Sequence, residues 1–97
     1  MPIFIKTETF KKDFRPDNLI KRNIIHDHIN WVKKLKNKGV NIKSGFLTDS
    51  LERPGGGGLL IIECNSFREA EDILKSDPMI KNGIVDWRIN QWIDVID

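Results

Sequence analysis

A long stretch with a helical period, residues 17–39, constrains what this chain can fold into more than any other feature. At about 100° per residue, its large apolar side chains fall within one arc of the helix surface, as in a helix that packs against a core: Ile20, Ile24, Ile25, Trp31, Val32 and Leu35. His28 lies inside this arc, whereas His26 points toward the polar side. Asp17 and Gly39 stand where an N-cap and a helix-ending residue are expected. The pattern therefore predicts an amphipathic helix that aims one histidine at the core.

The rest of the chain predicts four strands and a second, shorter helix. Ser66 and Glu69 form a capping box at the start of that helix. Asp77 precedes a proline and ends the helix, because a residue before proline avoids the helical conformation. The alternation of the last strand slips near Gln91, which predicts a β-bulge. We place the strands at residues 2–10, 40–47, 59–64 and 84–95, the second helix at 66–75, and a turn at 79–83.

Four consecutive glycines, Gly55–Gly58, separate the second strand from the third. They lack the Gly-Lys-Ser/Thr ending and the following helix of a phosphate-binding loop. Glycine runs are typical of flexible connections, so we predict a hairpin loop here, or alternatively a mobile flap over a pocket.

The predicted order β-α-β-β-α-β is that of an α+β, ferredoxin-like sandwich, formed by a single domain over residues 1–97. Both helices then cover one face of the sheet. The other face is predicted to carry Phe4, Leu47 and one side of residues 59–62. An apolar face of that size usually marks an interface, so we expect a homodimer formed through the sheet face.

Composition and charge exclude several classes of protein. The net charge of +2 combines a basic first half with an acidic second half. The basic side chains crowd the end of the long helix, where they complement its dipole, and no aromatic residues or binding motif of a nucleic-acid protein accompany them. The chain has one cysteine, no basic-then-apolar opening segment and no apolar run of membrane-spanning length. These features favour a soluble cytoplasmic protein that binds neither nucleic acid nor membrane.

Neither a metal site nor a reactive cysteine is predicted. His26 and His28 are two residues apart on a helix and so face different directions. Cys64 lies in an apolar strand without a second thiol, and nothing near it in the sequence would activate a nucleophile.

The chemistry that remains centres on His28, because histidine has an ordinary pKa near neutrality and suits general-base catalysis. A carboxylate on its other ring nitrogen would fix the tautomer, and either Asp77 or Asp49 could supply it. Ser44 could bond a substrate oxygen. Each of these residues could instead have only a structural role. Aromatic residues that could line an apolar pocket, or merely fill the core, are Trp31, Phe46, Trp87 and Trp92.

Several segments resemble the YciI-like, or YCII-related, protein family. Residues 28–39 are similar to that family's His-Leu-x-x-Leu-x-x-Leu-x-x-x-Gly signature, and residues 44–47, Ser-Gly-Phe-Leu, are similar to its Ala-Gly-Pro-Leu. Residues 57–62 match a glycine-led third strand, and residues 77–83 match an Asp-Pro-x-x-x-x-Gly turn. Trp92 stands where the last strand of the family usually carries Pro-Trp or Pro-Phe.

This resemblance implies a ferredoxin-like fold in a dimeric α/β barrel. It also implies a cofactor-independent enzyme of lyase or isomerase type, which uses a His-Asp pair for proton transfer on a small carbonyl-bearing or aromatic compound. Matched position by position, the pair is His28 and Asp77. Phe46 departs from the family pattern, since it replaces a proline at the expected pocket wall. The alternative is a non-catalytic module for small-ligand binding or homodimeric interaction.

Overall fold

The computed structural model describes residues 1–12 and 19–97, and within them the predicted order of elements is present with one short helix added. None of the described helices is long and apolar enough to cross a membrane. The predicted N-cap at Asp17 lies outside the described residues. The elements are β1 (Ile3–Phe10), α1 (Leu19–Asn37), β2 (Ile42–Thr48), β3 (Pro54–Glu63), α2 (Phe67–Leu74), α3 (Pro78–Lys81) and β4 (Val85–Trp92).

The four strands form one antiparallel sheet in the order β2-β3-β1-β4. Sequential strands β2 and β3 pair directly, while β1 inserts between β3 and β4. This topology confirms the predicted α+β, ferredoxin-like fold.

The helices cover one face of the sheet, and the hydrophobic core lies between the helices and that face. Its central residues are almost completely buried: Phe4, Ile42, Leu60, Ile62, Cys64, Ala70 and Leu74. The prediction that Phe4 belongs to the uncovered face is therefore wrong. Phe4 and Lys6 share a face of β1, as expected, but that face is turned toward the helices. The uncovered face instead carries Ile3, Ile5, Leu59 and Ile61, each only partly buried.

The predicted glycine loop is also wrong, because β3 begins at Pro54 and includes Gly55–Gly58. Gly58 pairs with Phe46 of β2 on one side and with Glu8 of β1 on the other. Gly57 has a φ of +92°, and a Cβ there would collide with the backbone oxygen of Glu8. The glycines therefore allow close approach of two strands, which no larger residue would permit.

The end of the chain differs from the prediction in two places. The β1–β4 pairing runs without a break from Ile3–Trp92 to Phe10–Val85, so no bulge occurs near Gln91. The alternation slips there because Trp92 lies on the uncovered face of the sheet, where it is half exposed. The predicted turn at residues 79–83 is partly helical, since Pro78 starts α3 and the Asp77 side chain accepts a hydrogen bond from Met79 N–H.

Candidate active site

His28 stands on the covered side of α1, where it is 8% exposed and bridges two other elements. Its Nδ1 lies 2.7 Å from Oδ1 of Asp77, the residue that caps α3. Its Nε2 lies 2.8 Å from Oγ of Ser44, which points from β2 toward the helices. Helix phase, a helix cap and strand alternation thus place three polar side chains in one continuous chain of hydrogen bonds.

The Asp77 carboxylate is fully buried and has several donors. Lys6 Nζ donates to Oδ2 at 2.8 Å, and Met79 N–H donates to Oδ1 at 2.9 Å. Burial by itself would raise the pKa of the Asp77 carboxyl, but the hydrogen bonds from His28 and Lys6 and the charge of Lys6 outweigh it, so this pKa lies below its ordinary value of 3.8. Asp77 is therefore ionised and can only accept hydrogen bonds. The neutral imidazole of His28 therefore carries its proton on Nδ1 and presents an unprotonated Nε2 to Ser44.

Sequence reasoning missed Lys6, whose side chain is completely buried between two carboxylates. Its Nζ lies 2.8 Å from Asp77 Oδ2 and 3.1 Å from Glu8 Oε1. Its position in the sequence could have indicated that it is buried, because Lys6 is two residues after Phe4 and therefore on the same face of β1. A buried lysine needs a partner, so a lysine on a core-facing position indicates a carboxylate nearby.

Glu8 continues this network, and the glycines of β3 make room for it. Its side chain is 8% exposed, and a Cβ on Gly58 would lie only 2.8 Å from Oε1. The second carboxylate oxygen, Oε2, is buried without a hydrogen-bond partner among the described residues. Lys6, Glu8 and Asp77 together carry one formal negative charge beside His28.

A cavity of about 870 Å³ opens beside His28 and Ser44. This volume lies within the range of roughly 300–1,000 Å³ that is typical of small-molecule sites. Its walls are mostly apolar, and Lys33, Lys36 and Lys43 add positive charge to the lining without an ion pair to any described residue. The apolar lining includes Phe10, Ile25, Ile29, Val32, Phe46, Met79 and Val85.

The structure places some of the predicted ligand contacts at this cavity and others elsewhere. Ser44 and Phe46 line it, whereas Trp31 and Trp92 do not. The indole Nε1 of Trp31 donates to Ser76 Oγ at 2.9 Å, and the ring packs against the core. Trp92 lies on the opposite face of the sheet from His28.

Asp49, the alternative partner for His28, lies in the turn after β2. It accepts hydrogen bonds from Leu51 N–H at 2.8 Å and from Arg53 N–H at 3.1 Å. These local bonds hold its carboxylate in its own turn, and the contact with His28 Nδ1 comes from Asp77 instead.

Comparison with known proteins identifies the family. The model of the YCII-related domain matches residues 10–93. The chain belongs to the YCII-related family. This confirms the family resemblance seen in the sequence, over residues 10–93. A search of curated proteins found no match.

One solved structure extends the comparison of this YCII-related chain to three dimensions. It is 5-chloro-2-hydroxyhydroquinone dehydrochlorinase from Burkholderia phenoliruptrix, in complex with 2,5-dihydroxybenzoquinone. The two chains share 21% sequence identity with a TM-score of 0.62, over 94% of this chain and 93% of that chain. At this identity the likeness supports the same fold along nearly the whole length.

Proposed function

We propose that this protein is an enzyme that transfers a proton on a small carbonyl-bearing or aromatic compound, with His28 as the general base and Asp77 as its partner. The observation that carries the proposal is the hydrogen bond that His28 Nδ1–H donates to Asp77, which leaves Nε2 of the neutral ring unprotonated at the wall of an apolar cavity. A positioned base of this kind typically contributes about 10²–10⁴ in rate. The reaction type is that of a lyase or isomerase.

The proposed step uses residues already in hydrogen-bond contact. His28 Nε2 takes a proton from a carbon or hydroxyl of the bound compound, and the imidazolium that forms is stabilised by the ionised Asp77. Ser44 Oγ, released from Nε2, donates its hydrogen bond to an oxygen of the substrate. The proton returns from Nε2 to another atom of the substrate or to a leaving group, so the step requires no cofactor.

The solved dehydrochlorinase supports a ring-shaped substrate. That protein has the same fold and is complexed with 2,5-dihydroxybenzoquinone. In the present chain, the cavity has the volume and the largely apolar lining that such a ring needs.

Proton exchange into D₂O tests the proposal directly. A hydroxyquinone, an unsaturated lactone and a cyclic β-diketone are incubated with the protein, and deuterium uptake is followed by NMR. We expect uptake above the buffer rate for at least one compound, and a loss of about 100-fold or more in His28→Gln.

The matched control is His26→Gln, because His26 is exposed on the same helix and lies outside the cavity lining. It should retain the wild-type rate. Uptake that survives in His28→Gln, or no uptake above buffer with any of the three compounds, would contradict the proposal.

The alternative is a non-catalytic module that binds a small ligand. It is favoured by the fact that both ring nitrogens of His28 already have partners, as in a purely structural histidine. Under this alternative, His28 serves only the fold, and His28→Leu is destabilising because it takes a hydrogen-bond donor from the fully buried Asp77. Equal affinity of the wild type and His28→Leu for one of the ring compounds, without turnover by either, would support it.

We further propose that two copies of the chain associate through the uncovered face of the sheet. The partly buried residues Ile3, Ile5, Leu59 and Ile61 form an apolar surface there that no described element covers. Ile61→Arg should therefore shift the mass measured by light scattering from dimer to monomer. Leu51→Arg is the control, since Leu51 is exposed in the turn before β3. A wild-type monomer, or a dimer in Ile61→Arg, would contradict this assembly.

A further inference from the structure

We infer that Ser44 is a nucleophile and that the site also transfers acyl groups, taking activated esters or thioesters of small apolar acids. The inference uses the same His28 and Asp77 as the proposed function, but its covalent step and its test are separate. The Asp77 carboxylate lies 2.7 Å from Nδ1 of His28, and Nε2 of the same ring lies 2.8 Å from the Ser44 hydroxyl. This is the order and spacing of the Ser-His-Asp arrangement in acyl-transfer enzymes.

The direction of each hydrogen bond fits a nucleophilic serine. Asp77 is ionised and accepts the Nδ1 proton, so Nε2 can only accept. Ser44 O–H is then the donor in the 2.8 Å contact, and its proton already points at the base. The thiol of Cys64 is instead buried and donates a hydrogen bond to the Ser66 carbonyl at 3.6 Å.

Ser44 is exposed and lines the cavity, so an acyl group can reach its oxygen. The neighbouring wall contains Val32, Ile29 and Phe46, which favours an apolar acyl chain. Lys36, on the same side of α1 as His28, also lines the cavity and adds positive charge to it.

The backbone offers a specific donor for that oxyanion. Glu63 N–H donates to the Asn41 carbonyl at 3.0 Å, and hydrogen-bonded pairs alternate along an antiparallel ladder. In the β2–β3 register, the hydrogen-bonded positions that follow Asn41 on β2 are residues 43 and 45. Ser44 lies between them, so its N–H points away from β3. Because β2 is an edge strand of the described sheet, this amide is free of the ladder. The amide of the nucleophile itself is one of the two oxyanion donors in serine proteases.

The reaction balances within these residues and water. Ser44 Oγ attacks the carbonyl carbon and its proton passes to His28 Nε2. Collapse of the tetrahedral intermediate breaks the bond from carbon to the leaving oxygen or sulfur, which takes the proton from Nε2. Water then attacks the acyl-Ser44, His28 accepts its proton and returns one to Ser44 Oγ. The products are a carboxylic acid and an alcohol or thiol.

Hydrolysis of p-nitrophenyl butyrate, together with labelling by diisopropyl fluorophosphate, tests the inference. The wild type should release p-nitrophenol above the buffer rate and should gain one phosphoryl adduct, located on Ser44 by peptide mass spectrometry. Ser44→Ala should lose the adduct and at least about 100-fold in hydrolysis. Ser50→Ala is the control, because Ser50 is exposed in the turn before β3 and lies outside the cavity lining.

Two results would overturn the inference. One is a wild type that hydrolyses the ester no faster than buffer or that carries no adduct on Ser44. The other is hydrolysis that persists in Ser44→Ala but disappears in His28→Gln, which would leave His28 as the only reactive group and the proposed function intact. Conversely, a Ser44 adduct and Ser44-dependent hydrolysis without deuterium exchange would support the acyl transfer and contradict the proton transfer.

Discussion

The layer between the helices and the sheet has two halves that differ in kind, and β1 contributes to both. Phe4 enters an apolar half with Ile62 and Leu74, whereas Lys6, two residues later, enters a polar half with Asp77. Apolar burial stabilises a fold by about 25 cal/mol per Å². A buried ion pair does not, because the desolvation of its charges roughly cancels their attraction. The apolar half therefore accounts for stability, and the polar half is the one that we propose serves the chemistry of His28.

The largest expected effect comes from breaking the polar half at one residue. Asp77→Ala leaves the fully buried Lys6 with only Glu8 as a partner, so we expect a loss of about 3–5 kcal/mol in the free energy of unfolding. Urea unfolding measures it. Asp77→Asn should lose less than Asp77→Ala, because the amide oxygen can still accept a hydrogen bond from Lys6 or Met79 N–H. A single variant as stable as the wild type would contradict the difference between the halves.

The apolar half should respond by a different mechanism. Ile62→Ala removes a completely buried side chain between Phe4 and Ile42 and leaves a cavity, which should cost about 2–5 kcal/mol in urea unfolding. The Asp77–His28 contact lies in the other half, so the NMR signals of the His28 ring nitrogens at one fixed pH should match those of the wild type. A change in these signals would show that the two halves are coupled.

The glycines of β3 offer a smaller and more local test. Gly58→Ala places a Cβ 2.8 Å from Glu8 Oε1 and so forces the carboxylate to move, which should cost about 1–3 kcal/mol. Gly45→Ala is the matched control on β2, where a Cβ meets nothing within 4 Å. It should be neutral or stabilising by up to about 1 kcal/mol, because it restricts the unfolded chain. Equal thermal stability of the two variants would contradict the crowding of Glu8.

The smallest expected effect is on the pH dependence of stability, and it appears only at acidic pH. The pKa of Asp77 is below its ordinary value of 3.8 in the folded protein, so Asp77 contributes stability that is present above that value and is lost as the pH falls through the folded pKa. Urea midpoints measured from neutral pH downward should fall more steeply below about pH 4 in the wild type than in Asp77→Asn. Asp72→Asn, at an exposed position on α2, should retain the wild-type slope.

The sequence predicts much of this site because local periodicity places its residues. Helical phase turns His28 inward, strand alternation turns Ser44 to the same side, and the Asp77-Pro78 pair marks the end of α2. Each of these signals depends only on near neighbours in the chain.

The parts that could not be predicted depend on contacts between distant segments. Strand alternation places Phe4 and Lys6 on the opposite face of β1 from their sequence neighbours. It does not indicate which of the two faces the helices cover. Lys6 meets Asp77 across 71 positions. The role of Gly58 follows from Glu8, which approaches from another strand, so the glycine run by itself resembles a loop. The halves of the interior are thus distinguished by tertiary contacts that no local pattern contains.

The central claim is that an ionised Asp77 fixes the Nδ1–H tautomer of His28 and leaves Nε2 as the base. Long-range ¹H–¹⁵N NMR of the ring nitrogens measures this directly, above the pH at which the imidazole loses its proton. We expect a protonated Nδ1 and an unprotonated Nε2 in the wild type. A protonated Nε2 in the folded wild type would contradict the account.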